Sequence, residues 1–192
     1  MMQTSGLAEL IAGAREGASA VEECCRHTES CPRRPTAPVL VLGLGNPLMS
    51  DDGVGQELLS RLSRSTEWGE EVELVDGGTQ GLALLGTFEG RKAVVFLDAI
   101  RLGDRPGAVH VLSGEEVAWM GRRAATTAHE GSAPQILAAL QLLGETPLEI
   151  ILIGIEPEKL QTGIGLSAAA QSGLGLASRL ARSAVARILS AI

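Results

Sequence analysis

The chain has 192 residues, of which 45% are hydrophobic and 20% are charged, and its formal net charge is −7. This charge, together with two tryptophans, two phenylalanines and no tyrosine, argues against a surface that follows nucleic-acid phosphates or stacks on bases. No apolar run approaches the roughly 20 residues that span a bilayer, and no basic segment leads into an apolar core at the N-terminus. We therefore expect a cytoplasmic protein with one sizeable globular core.

The beginning of the chain differs from the rest. We interpret residues 1–37 as an N-terminal appendage, flexible or weakly helical, in front of a domain at residues 38–192, because glycines interrupt its apolar periodicity and SCPRRPTAP is typical of a linker. The appendage also holds every cysteine and one histidine. Their spacing matches zinc-site patterns poorly, so we interpret the thiols as incidental. The residues concerned are Cys24, Cys25, His27 and Cys31.

The first predicted strand leads into a loop that carries two acids. VLVL at residues 39–42 is a continuous apolar run, typical of a short strand buried on both faces. Gly43 and Gly45 permit a tight turn, and Asp51 and Asp52 then precede leucines at helical spacing. Two carboxylates therefore lie where a strand gives way to a helix. Ligands bind at such positions in open α/β sheets, and acids there also stabilise a helix N-terminus.

Strands and helices continue to alternate along the chain. The pattern favours an α/β fold, a three-layer α/β/α sandwich around a mainly parallel sheet, with the second strand at an edge. Further strands are predicted at residues 71–75, 93–97, 108–112 and 148–155, and helices after residue 53, at 82–88, 115–120 and 134–143, and from Ser167 towards the C-terminus.

Several common site motifs are absent from the sequence. The glycine loop lacks the third glycine of a dinucleotide fingerprint, and there is no phosphate-binding P-loop, no Gly-x-Ser-x-Gly elbow and no cysteine after residue 31. Acids and one histidine remain: Asp51 or Asp52, Asp76 and Asp98 follow predicted strands, and His129 lies in a polar loop. At the carboxyl edge of a parallel sheet they would form a partial shell for a divalent transition metal.

A structural interpretation of the same residues stays open at this point. Asp52 can cap the first helix, Asp76 can close an Asx turn, Asp98 can end a strand and His129 can lie on a loop surface. The other histidine of the domain, His110, falls inside a predicted strand, where we expect a packed or edge residue.

Five segments in order resemble a known family. GLGNPLMSDDGVG, VDGGTQG, FLDAI, TTAHEGSAPQIL and IGIEPEKLQTGIGLS together resemble the hydrogenase maturation endopeptidases, over residues 39 to about 187. The resemblance implies a five-stranded mixed sheet with one antiparallel strand. AVHVL is the candidate for that strand, since a short Pro-Gly connection precedes it.

The resemblance also implies an activity. Members of the family are aspartic-type endopeptidases that remove a C-terminal extension from the large subunit of [NiFe] hydrogenase after nickel insertion. Carried over by motif, the metal contacts fall on Asp52, Asp98 and His129, and Asp76 is a further catalytic-site acid that helps position the substrate. Some relatives carry glutamate where Asp52 stands.

We expect the nickel to arrive with the precursor, held by its cysteines, although another divalent metal can occupy the isolated site. The partner is then the nickel-loaded large-subunit precursor, and we expect a monomer that binds neither nucleic acid nor membrane. Two other functions remain open. One is a non-catalytic nickel-dependent maturation factor for the same precursor, and the other is a nucleotide-binding α/β domain.

Overall fold

Five strands alternate with helices in the computed structural model, which describes residues 36–65, 68–123 and 131–192. The strands are β1 Val39–Leu44, β2 Val72–Gly78, β3 Ala93–Ala99, β4 Val109–Ser113 and β5 Glu149–Ile155. The α-helices are α1 Val54–Ser65, α2 Gly114–Arg123, α3 Ala133–Leu143 and α4 Ala168–Leu189, and two 3-10 helices span Ser50–Gly53 and Gly81–Phe88.

The five strands form one mixed sheet in the order β2-β1-β3-β5-β4. All neighbouring pairs are parallel except β4, which runs antiparallel to β5. The predicted fold class is confirmed, including the edge position of β2 and the antiparallel strand in AVHVL. The carboxyl ends of β1, β2, β3 and β5 consequently lie at one edge of the sheet.

Helices cover both faces of the sheet. Alternate residues of the buried strands point to opposite sides, so Val39 and Val41 pack towards α1 and α4, while Leu40 and Leu42 pack towards α2, α3 and the second 3-10 helix. The central strands β1 and β3 are buried along their apolar runs. This is why their sequences are continuously apolar and not alternating.

The helix ends follow the local sequence. Ser167 caps α4 by accepting a hydrogen bond from the Ala170 N–H at 3.1 Å, and Pro134 stands in the first turn of α3. Gly144 ends α3 in a left-handed conformation at φ +73°. At the far end of α4, the Arg187 guanidinium donates to Glu149 Oε1 at 2.6 Å, beside the start of β5.

One boundary differs from the prediction in a way that affects the site. The second strand does not end at Val75 but continues to Gly78, because Asp76 pairs with Gly43 of β1 and Gly78 pairs with Leu44 after a register shift. Asp76 therefore lies inside β2, two residues before its end, instead of opening a loop. His110 lies on the edge strand β4 and is mostly buried, as expected.

Two further predictions concern other parts of the chain. The appendage at residues 1–37 lies, apart from its last two residues, outside the described residues, and so do its cysteines and histidine. Residues from Thr36 to Ile192 form one compact unit. None of the helices in the described part of the chain is long and apolar enough to cross a membrane.

Candidate active site at the carboxyl edge of the sheet

The loop after β1 is shaped by close backbone contacts. Gly45 has φ +118°, and a Cβ placed on it would overlap the Asp52 carbonyl oxygen. A Cβ at Gly55 would overlap the carbonyl oxygens of Leu44 and Leu97, which lie near the ends of β1 and β3. The start of α1 is therefore pressed against the two central strands, and only glycine fits at these positions.

Asp52 is held by this same loop. Its Oδ2 accepts a hydrogen bond from the Asn46 N–H at 2.8 Å, and the Asn46 side chain in turn accepts from the Leu48 N–H at 3.0 Å. The Asp52 carboxylate thus bonds back across the loop, and the described contacts give it no cap bond to α1. The capping interpretation of Asp52 is not what the structure shows.

Asp98 lies at the end of β3 and is only 7% exposed. Burial raises its pKa to about 7, and repulsion from the Asp52 carboxylate adds to this shift, while hydrogen bonds from the backbone N–H groups of Ala133 and Ala99 oppose it. Asp52 therefore lies near enough to Asp98 for the two carboxyl groups to interact electrostatically. Ala133 begins α3, so Asp98 also faces a helix N-terminus.

Asp51, next to Asp52 in sequence, points the other way. Its carboxylate is fully buried and accepts four hydrogen bonds, from the Ser167 N–H and hydroxyl and from the N–H groups of Glu158 and Lys159. Burial acts to raise its pKa, but these hydrogen bonds outweigh burial and hold the pKa below its usual value. Of the two adjacent acids, Asp52 is therefore the one available to a ligand.

Asp76 is exposed at the end of β2. Its Oδ1 accepts a hydrogen bond from the Gly78 N–H at 3.0 Å, which is an Asx-type turn. The neighbouring turn also contacts the chain after the polar loop, since a Cβ at Gly81 would lie 3.2 Å from the Gly131 Cα. Asp76 thus belongs to the same edge of the sheet, on its outer strand, and no described contact joins it to Asp98.

The histidine of the predicted site, His129, lies outside the described residues, which resume at Gly131. His110 is elsewhere: its Nε2 is 3.8 Å from Asp104 Oδ2 and 3.8 Å from Glu156 Oε2. Within residues 36–65, 68–123 and 131–192, no three His, Cys, Asp or Glu side chains come together as a metal-binding group. Of the three predicted metal contacts, Asp52 and Asp98 lie among the described residues, and carboxylate oxygens of this kind would suit a divalent ion that brings further ligands.

Sequence reasoning missed two side chains that organise the edge. Glu156, just after β5, is buried and accepts hydrogen bonds from the N–H groups of Leu102 and Gly103 at 2.8 and 3.3 Å. Gln56 in α1 donates to the Gly45 carbonyl at 2.5 Å, and its Oε1 is buried without a partner among the described residues. The sequence signal for Glu156 was an acid directly after the apolar run IILIGI. No local sequence pattern distinguished Gln56.

Comparison with known proteins shows which family the chain resembles. A family model described as HycI, hydrogenase maturation protease, matches residues 56–183, which is more than half of the chain. The chain belongs to the hydrogenase maturation protease family. It is 35% identical over 130 residues to the hydrogenase 2 maturation protease of Escherichia coli K12, covering 67% of this chain and 79% of that protein.

Solved structures agree with the sequence match. The fold is similar to that of the E. coli hydrogenase maturating endopeptidase HybD, with a TM-score of 0.69 and 31% identity, over 78% of this chain and 92% of HybD. Another relative, the hydrogenase expression/formation protein HupD of Rhodobacter capsulatus, is 36% identical over 64% of this chain. The chain spans 59% of the length of HupD.

Proposed function

We propose that this maturation protease homologue acts in the cytoplasm as an endopeptidase that removes the C-terminal extension of a [NiFe] hydrogenase large-subunit precursor after nickel has been inserted. Family membership supports the class of activity. The observation that carries the proposal is the pair Asp52 and Asp98, two interacting carboxyl groups at the carboxyl edge of the sheet, one of which is buried with a pKa near 7.

Peptide hydrolysis needs a group that takes a proton from water and later returns it to the leaving amine. A carboxyl group with a pKa of about 7 has both protonation states well populated at neutral pH, which suits it to both steps. A water molecule attacks the scissile carbonyl carbon, a carboxylate of the pair accepts the water proton, and that proton then passes to the amine as the C–N bond breaks. The carboxylate is regenerated, so the reaction consumes only the peptide and water.

Nickel enters this proposal as part of the substrate. Thiolates of the precursor hold the ion, and Asp52, Asp98 and His129 add oxygen and nitrogen ligands that orient the scissile bond beside the carboxyl pair. A divalent cation beside Asp98 favours its ionised form, so in the docked complex the carboxyl pair starts as the acceptor of the water proton and becomes a donor only after that transfer. Asp76, on the neighbouring strand, helps to position the extended substrate.

The test uses purified protein and precursor prepared with and without nickel, in buffer free of other divalent metals. We expect mass spectrometry to show loss of the C-terminal extension only from the nickel-loaded precursor. Equal cleavage of both forms would exclude nickel as the recognition element.

A second outcome distinguishes the non-catalytic alternative. If the loaded precursor forms a stable complex with the protein and keeps its extension, the protein is a nickel-dependent maturation factor and not the protease. The Asp52→Ala variant serves as the matched control, because it removes one proposed ligand from a loop while leaving the buried core unchanged.

A further inference from the structure

The loop that carries Asp52 is hydrogen-bonded to a segment more than 100 residues further along the chain. The Ser50 N–H donates to the Gly163 carbonyl at 2.8 Å, the Gly163 N–H donates to the Leu48 carbonyl at 2.9 Å, and the Asp51 N–H donates to the Lys159 carbonyl at 3.3 Å. These backbone bonds tie the loop after β1 to the loop of residues 156–167 that follows β5.

The Asp51 carboxylate adds four more bonds to the same junction. Its Oδ2 accepts from the Glu158 N–H at 2.9 Å, the Lys159 N–H at 3.1 Å and the Ser167 hydroxyl at 2.8 Å, and its Oδ1 accepts from the Ser167 N–H at 2.6 Å. Hydrogen bonds to an ionised acceptor are stronger than bonds between neutral groups. A fully buried carboxylate with this set of donors fixes the loop at that point.

The geometry of the 3-10 helix Ser50–Gly53 links this anchor to the proposed site. With about three residues per turn, successive side chains leave the helix axis roughly 120° apart. Asp51 therefore points into the junction while Asp52 points towards the Asn46 N–H and Asp98. Ser50, just before them, has φ +54°, a conformation that a non-glycine residue keeps only when its surroundings hold it there.

We propose that Asp51 is a positioning residue for the proteolytic reaction: by binding the loop of residues 156–167 it fixes the backbone that aims the Asp52 carboxylate. This inference rests on the proposed function for its catalytic part. Asp51 takes no part in the chemistry itself, because its carboxylate is fully buried and both of its oxygens already accept hydrogen bonds from the loop of residues 156–167.

The Asp51→Asn variant tests the proposal because it keeps the shape of the side chain while replacing one acceptor oxygen by an NH₂ group that faces donors. The matched control is Ile188→Val, which trims a fully buried side chain near the other end of α4. Each variant is assayed with nickel-loaded precursor at a temperature well below its own Tm. We expect Asp51→Asn to lower kcat by about tenfold to a hundredfold with little change in KM, and Ile188→Val to match the wild type.

A second measurement does not depend on activity. The amide NMR resonance of Asn46 reports its hydrogen bond to Asp52, so Asp51→Asn should shift this resonance and speed its hydrogen exchange, whereas Ile188→Val should not. If the wild type fails to cleave any precursor, the proposed function is wrong, and the Asn46 resonance still decides whether Asp51 aims Asp52.

The inference is overturned if Asp51→Asn keeps the wild-type kcat, or if it changes KM alone, since Asp51 would then only present residues 156–167 to the substrate. An unchanged Asn46 resonance overturns it equally. Should Asp51→Asn not fold, Ser167→Ala removes one of the four bonds, together with the cap bond from the Ala170 N–H, and undergoes the same two measurements.

Discussion

At the scale of single residues, the aspartates Asp51 and Asp98 lie in opposite environments. Asp51 is surrounded by donors from residues 158–167, and these bonds keep its pKa low. Across the site, burial raises the pKa of Asp98, a neighbouring carboxylate raises it further, and few donors oppose the shift. The number of hydrogen bonds offered to each carboxylate, and not its depth alone, separates a structural acid from a reactive one.

The first prediction concerns the site residues themselves. Replacing Asp52, Asp98 or His129 by alanine should reduce processing of the nickel-loaded precursor at least a hundredfold, on the order of 3 kcal/mol in activation free energy. Circular dichroism should show an unchanged fold. Wild-type trimming by all three variants would mean that the site lies elsewhere.

A second prediction follows from the raised pKa of Asp98. The unfolded chain releases this proton near pH 3.8, but the folded protein keeps it until about pH 7. Between these values the native state binds the extra proton, so the free energy of unfolding falls as the pH rises from about 4 to about 7 and then levels off. At 1.36 kcal/mol per pKa unit the loss is on the order of 4 kcal/mol.

Urea unfolding of metal-free protein across this pH range measures the effect. The neutral variant Asp98→Asn should lose this pH-dependent decrease and be more stable than the wild type above pH 7. Asp76→Asn is the control, because Asp76 is exposed and its substitution should leave the pH dependence in place. A wild-type protein whose stability is flat between pH 4 and 7 would contradict the assignment.

At the scale of secondary-structure elements, the site depends on how closely α1 approaches the sheet. Gly43 and Gly55 face each other across this contact, and a Cβ at Gly43 would lie 2.8 Å from the Gly55 carbonyl oxygen. The close approach brings the acidic loop over the ends of β1 and β3. Asp52 and Asp98 become neighbours as a result.

The third prediction tests this contact. Gly55→Ala should destabilise the fold by more than about 3 kcal/mol, because the added methyl group overlaps backbone oxygens that cannot move independently. Gly86→Ala is the control, since a Cβ there meets nothing within 4 Å. Chemical denaturation measures both variants, and an equal midpoint for the two would contradict the packing described here.

The elements themselves were largely predictable, because each depends on a local pattern. Apolar runs identified β1, β3 and β5. The family resemblance implied one antiparallel strand, and the short Pro-Gly connection selected β4 for it. The four bonds to Asp51 were not predictable, since all three donor residues lie more than 100 positions away and meet it only after the sheet has formed. The extension of β2 to Gly78 was missed for the same reason, as it depends on pairing with β1.

At the scale of the whole molecule, residues 36–192 contain the complete sheet and every described site residue. The fourth prediction is that a chain starting at Thr36 folds and processes precursor like the full-length protein, because few apolar residues precede it in an uninterrupted helical pattern. Thermal unfolding and the cleavage assay measure this. A clear loss of Tm or solubility on truncation would show that Leu7, Leu10, Ile11 and Val21 pack on the domain.

Helix α4 runs antiparallel to β5, from the carboxyl ends of the parallel strands to their amino ends. Its cap residue Ser167 touches Asp51 beside the site, and Arg187 near its other end touches Glu149 at the start of β5. Its 22 residues separate these ends by about 33 Å. A linker or surface anchor attached after α4 therefore lies far from the carboxyl edge that carries Asp52 and Asp98. A protein immobilised through its C-terminus should leave this site accessible for binding measurements with a bulky folded precursor.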